Sequence, residues 1–259
     1  MPKFTDLMDE AAQGQATITD EWMQGRTTYG GLSAALCYAA ARTKRPENML
    51  LRSAQIAFVG PASGVVQLSA EVLRQGKSAC YVTADVYTDA GIATRGTFVF
   101  GAARKSHLDF NRLPEPPAIA QPEETPRFFG DSKQAPGFTQ NFDMLLAAGH
   151  PPMAGAEEAD MSLWMRHLDE KAAGLIALLA IGDAPPPAAM AVMKEPGRIS
   201  SMNWSIDILT NDPVTRDRWY LAQHKSPRTA DGYSHQQMMM WNTEGVPMMA
   251  GQQTIAVFS

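Results

Sequence analysis

A proline-rich stretch at residues 113–137, holding Pro114, Pro116, Pro117, Pro122, Pro126 and Pro136, divides the chain into two parts of similar design. Proline fixes φ and removes a backbone donor, so this stretch is neither a central strand nor a helix interior and reads as a connection. Before it, residues 31–43 (GLSAALCYAAART) read as a helix that opens after Gly30-Gly31 and ends before Pro46. Four strand-like runs follow at 52–59, 65–74, 79–88 and 92–101, separated by turn signals such as Gly60-Pro61 and Asp89-Ala90-Gly91. Beyond the prolines the order repeats. A helix is expected over 168–181, stopped by Pro185-Pro186-Pro187, then strands over 199–209, 218–225, 233–242 and 246–258. The last hairpins agree in detail, Tyr87-Thr88-Asp89-Ala90-Gly91-Ile92 against Trp241-Asn242-Thr243-Glu244-Gly245-Val246. Internal duplication of a helix-plus-sheet unit is the simplest account, two unrelated α+β halves the alternative. The expected division is residues 1–113, a linker at 114–137, and residues 138–259.

Strands joined by such short turns leave no room for crossovers, so each sheet should be antiparallel with its helix across one face, an α+β arrangement. Leu175, Ile176, Leu178 and Leu179 make the second helix apolar enough to be almost wholly buried. Composition narrows the partners. With 45% hydrophobic and 19% charged residues the chain is an ordinary globular one. Its net charge of -5 leaves no basic surplus for phosphates, so nucleic acid is not an expected partner. The longest apolar run, 172–181, is half the roughly 20 residues of a membrane helix, so no membrane span is expected. Two cysteines, Cys37 and Cys80, supply neither a disulfide framework nor a metal spacing, and the N-terminus lacks a signal-peptide apolar stretch. The expectation is a cytoplasmic protein with reduced thiols.

Common catalytic signatures are missing: there is no GxSxG elbow, no GxGxxG and no GxxxxGK[ST] string. The five histidines are scattered, none at metal-ligand spacing, and no metal is expected. The run Met238-Met239-Met240 reads as adaptable strand packing, with the lining of an acyl tunnel as the alternative.

Residues 51–62 (LRSAQIAFVGPA) and 72–78 (VLRQGKS), with Trp22, Tyr29-Gly30-Gly31, residues 200–207 (SSMNWSID), Glu244-Gly245 and Gln252-Gln253, resemble the thioesterase II-type acyl-CoA thioesterases. The resemblance spans nearly the whole chain. It implies a double hotdog fold and hydrolysis of an acyl-CoA thioester to free acid and CoA, with CoA as part of the substrate and no separate cofactor. In that family a carboxylate after the second helix, a hydroxyl at the start of the next strand and a glutamine in the last strand hold the attacking water. The matching residues are Asp183, Ser201, where threonine is usual, and Gln253, with Gln252 beside it leaving an ambiguity of one residue.

On spacing alone, Asp183 is also a plausible solvated turn residue. Ser201 alternates with Asn203, Ser205 and Asp207, opposite Met202, Trp204, Ile206 and Ile208, as on the wet face of a half-buried strand. Gln253 shares a face with Met249, Ile255 and Val257, where a buried amide needs partners. Matching the halves places Thr43, Ser53 and Val99 opposite Asp183, Ser201 and Gln253, so only the second half carries the set. Tyr29, Gly30 and Gly31 of the first half are expected to add ligand-binding surface. Two other readings stand beside hydrolysis: a non-catalytic acyl-CoA-binding hotdog protein, and a hydratase or dehydratase, which would want an Asp/His pair. Exposed sheet edges and the resemblance point to a homo-oligomer.

Overall fold

A computed structural model describes residues 3–129 and 135–258. Residues 130–134 of the expected linker lie outside the described residues. The first half contains α1 (Phe4–Ala12), β1 (Gln15–Ile18), a small ladder of β2 (Met23–Gln24) and β3 (Thr27–Thr28), α2 (Gly30–Arg42), and then β4 (Leu50–Phe58), β5 (Gly64–Gln75), β6 (Ala79–Thr88) and β7 (Gly91–Gly101). The second half contains β8 (Phe142–Gly149), β9 (Asp160–His167), α3 (Gly174–Gly182), and then β10 (Arg198–Ile208), β11 (Tyr220–Ala230), β12 (Tyr233–Asn242) and β13 (Pro247–Phe258).

Eleven strands form one sheet in the order β1-β5-β6-β7-β4-β10-β13-β12-β11-β9-β8, antiparallel throughout. The order reads alike outward from the centre, where β4 pairs with β10 and Ser205 lies opposite Gln55. The repeated unit is therefore larger than a helix and four strands. A leading strand, β1 or β9, precedes each helix and pairs with the second strand after it, β5 or β11.

The second helix is shorter than its composition suggests, because Gly174 adopts φ +73°, a left-handed conformation that interrupts any helix begun earlier. Ahead of it Asp169 is tied to the N-terminal helix, accepting from the Thr5 amide at 3.0 Å and the Thr5 hydroxyl at 2.9 Å. Strand β11 continues through Pro227 to Ala230, beyond the expected end at residue 225, because the register shifts between Lys225 and Arg228 and the ladder needs no donor there. Helix α1 buries Phe4, Leu7, Met8 and Ala11, the stripe of an amphipathic helix.

Residues 31–41 of α2 and 176–182 of α3 are all buried. The two helices cross against each other under the sheet, and small residues permit it: a Cβ on Gly31 would overlap the Ala180 carbonyl. The proline-rich segment packs on the second half. Ala120 and Pro114 carbonyls accept from the Trp164 and Trp241 indoles at 2.9 and 3.3 Å, and residues 126–128 pair along the β8 edge.

Candidate active site

Asp183 follows the last turn of α3 and meets the first turn of α2. A carboxylate is poorly placed at a helix C-terminus, where the macrodipole is negative, and well placed at an N-terminus. Here both ends converge, and the positive end of the longer helix faces the charge. Gly30 touches Asp183 Oδ2 closely enough that a Cβ would overlap it, and that Cβ would also lie 2.8 Å from the Phe58 ring.

Strand β10 presents Ser201 to this place by means of a bulge. The β10–β13 register skips between Ser201 and Asn203, leaving Met202 unpaired and 45% exposed. The bulge reverses the expected alternation: Ser201 stands on the same inner face as buried Trp204, Ile206 and Ile208, while Asn203, Ser205 and Asp207 are exposed. Asn203 Oδ1 accepts from the Thr254 amide at 3.1 Å, so the displaced backbone stays bonded.

Gln253 on β13 faces inward and is 2% exposed, whereas Gln252 is exposed on the other face. Gln253 Nε2 donates to Asp183 Oδ1. Its Oε1 accepts from Ser201 Oγ at 3.4 Å and from Gln236 Nε2 at 3.1 Å. The structure thus brings Asp183, Ser201 and Gln253 together, with Ser201 bonded to the carboxylate only through the glutamine. Gln236, on β12, was not among the residues marked by motif. Its signal is a polar residue in phase with buried Met238 and Met240 on an inward strand face.

Burial raises the Asp183 pKa to about 7, against the lowering effects of the Gln253 hydrogen bond and the Gly31 amide. Near neutral pH it can exist in either protonation state. Tyr29, at the N-cap of α2, is 1% exposed and stacked on Phe138 at 4.4 Å. Burial, then the Asp183 charge, pushes its phenol well above the usual range. Of the three expected ligand-binding residues, Gly30 is half-buried beside Asp183, and Tyr29 and Gly31 are buried. Beneath Asp183, a Cβ on Gly182 would meet Met249, and Met240 Sδ and Trp204 Cη2 at 3.3 Å, so these side chains pack under the helix end.

The halves can be aligned through their bulges, because β4 skips register at Arg52 as β10 does at Met202. Leu51, not Ser53, then matches Ser201, and Phe98, not Val99, matches Gln253. Matching by the last hairpin is off by one at Gln253 because that hairpin is one residue longer in the second half, Trp241 pairing with Pro247 where Tyr87 pairs with Ile92. Thr43 does match Asp183, each being the residue after its helix. Among the described residues, no three His, Cys, Asp or Glu side chains converge as metal ligands would, and no helix is long and apolar enough to cross a membrane.

Comparison with known families finds a match in each half, the second match beginning with the proline-rich segment. Residues 18–101 match the acyl-CoA thioesterase N-terminal domain, and residues 114–257 match the acyl-CoA thioesterase C-terminal domain. The chain belongs to the acyl-CoA thioesterase family. No curated protein sequence matches it. Among solved structures, this acyl-CoA thioesterase family member is similar to a conserved hot dog fold protein of unknown function from Alicyclobacillus acidocaldarius, with TM-score 0.83 and 22% identity over 97% of this chain and 98% of that one. It is also similar to the tesB protein of Mycobacterium avium subs paratuberculosis, with TM-score 0.79 and 14% identity over 99% and 100% of the two chains. A third similar structure is acyl-CoA thioesterase II TesB2 from Mycobacterium marinum, with TM-score 0.73 and 14% identity over 95% and 93%. The fold is the double hotdog.

Proposed function

We propose that the protein hydrolyses an acyl-CoA thioester to the free acid and CoA, with Asp183 as general base. The observation that carries the reading is the bond from Gln253 to a part-buried carboxylate at the N-terminus of α2, with Ser201 on the same glutamine. Asp183 Oδ1 is engaged by Gln253, so Oδ2, beside Gly30, is the oxygen that takes a proton from water. The water oxygen bonds to the thioester carbon, and the carbonyl becomes an oxyanion facing the first amides of α2. As the C–S bond breaks, CoA leaves as thiolate and recovers the proton from Asp183. A base titrating near 7 suits both transfers. The reaction in this reading consumes only water and substrate.

We further propose that the protein is a cytoplasmic homo-oligomer, and light scattering that returns a monomer would remove the second part of this proposal. A panel of short, medium and long acyl-CoAs assayed with a thiol reagent tests the activity. Thiol release that is lost in Asp183→Asn supports hydrolysis. Tight acyl-CoA binding with no thiol release from any member of the panel would instead identify a non-catalytic binder on the same fold.

A further inference from the structure

Gln236 lies directly across from Gln253 in the β12–β13 register and is 1% exposed. Its Oε1 accepts from the Ala188 backbone amide at 2.8 Å, and its Nε2 donates to Gln253 Oε1 at 3.1 Å. A backbone N–H can only donate, so Ala188 fixes which end of the Gln236 amide faces it. Gln236 therefore turns its NH2 to Gln253, and Gln253 must turn its oxygen back and its own NH2 toward Asp183. An ionised carboxylate can only accept, so the far end requires the same polarity. Reversing either amide would set donor against donor at one junction and oxygen against oxygen at the next. Ala188 opens the short 3-10 turn reached by the loop from Asp183, so the bonds close a ring from Asp183 through its own loop to the sheet and back.

The fold itself does not demand polar residues here. In the first half the matching pair is Val82 opposite Phe98, both fully buried and apolar. We propose that Gln236 is a positioning residue for thioester hydrolysis, acting through Gln253 to fix the hydrogen bond that Asp183 receives. This rests on the hydrolytic reading above.

The other titratable groups around Asp183 are silent near neutrality. Tyr29 on α2 is held protonated, and His224 on β11, beside the Gly182 and Pro186 backbone, is driven by burial to a pKa of about 4. No charged side chain is among the causes that set the Asp183 pKa, which are burial, the Gln253 hydrogen bond and the Gly31 amide. The acidic limb of the pH profile therefore belongs to Asp183.

The test compares Gln236→Met, which keeps volume and removes both polar ends, with Gln236→Glu, which keeps the Ala188 bond and replaces the donor by an acceptor. Turnover of the preferred acyl-CoA is followed from pH 5 to 9, with Asp183 titrated by carbon NMR of the carboxyl group. Loss of a single oriented hydrogen bond predicts kcat lower by about 10- to 100-fold with KM within about threefold. The acidic limb and the Asp183 titration should move up together, further in Gln236→Glu, and Gln236→Met should slow an Asp183→Asn enzyme no further. If Gln236→Met does not fold, Gln236→Glu carries the test. An unmoved Asp183 titration and acidic limb overturn the proposal, whatever happens to kcat. Absence of thiol release by the unsubstituted protein overturns the hydrolytic reading itself, and is seen before any substitution is made.

Discussion

Gly30 and Asp183 meet where the two central helices cross, and no methyl group fits between them. In an exposed helix, alanine in place of glycine would help by up to about 1 kcal/mol. Here Gly30→Ala should destabilise by about 1–3 kcal/mol, the usual scale of overpacking, and should depress kcat by displacing Oδ2. Thermal melts and steady-state rates check both signs, and a variant more stable than the parent would contradict the contact.

Activity should rise with pH through about 7 as Asp183 ionises, and level off above it. A pH–rate profile of kcat gives the limb directly. A flat profile from pH 5 to 9 would remove Asp183 as the base.

Stability should run the other way. The folded pKa of Asp183, about 7, lies above the roughly 3.9 of an unfolded aspartate, so ionisation is penalised in the folded state. That penalty is absent below about pH 4 and complete above about pH 8, where linkage puts it at about 4 kcal/mol as an upper bound. Asp183→Asn should therefore lose about 10²- to 10⁴-fold in kcat, yet melt higher than the parent at pH 8 and alike at pH 4. Equal melting temperatures at both pH values would argue against a buried, charge-penalised site.

Thr43→Ala probes the matching place in the first half. It removes the 2.7 Å bond from Thr43 Oγ1 to the Ala40 carbonyl, at a cost of about 1 kcal/mol, and should leave kcat within about twofold. Ser201→Ala and Gln253→Ala, combined, should lose less than the product of their separate effects, because both hold one network. A rate loss in Thr43→Ala equal to that of Ser201→Ala would refute a single site.

Most strands and both central helices were readable from the turn residues and from alternation, since each hairpin is bounded by glycine, proline or aspartate. What alternation misassigned was Ser201. A one-residue bulge at Met202 reverses the phase of everything before it, and no residue type announces that bulge. The Asp183–Gln253 pair came from family resemblance, because an aspartate after a helix and a glutamine in a strand are each unremarkable alone. Gln236 was visible only as a polar residue in phase with methionines, a signal that gains meaning once β12 is known to pair with β13. The left-handed Gly174 shortened a helix whose composition would have carried it further.

The pairing of β4 with β10 joins both halves of this single polypeptide in one sheet, with the site drawing α2 from the first and its polar strands from the second. In a dimer of identical subunits, one altered codon changes both sites at once. A fused chain escapes that coupling: Leu51, Val82 and Phe98 can serve purely as core where Ser201, Gln236 and Gln253 stay polar. Each copy is then answerable to a different selective demand, one for holding the helices in place and the other for chemistry.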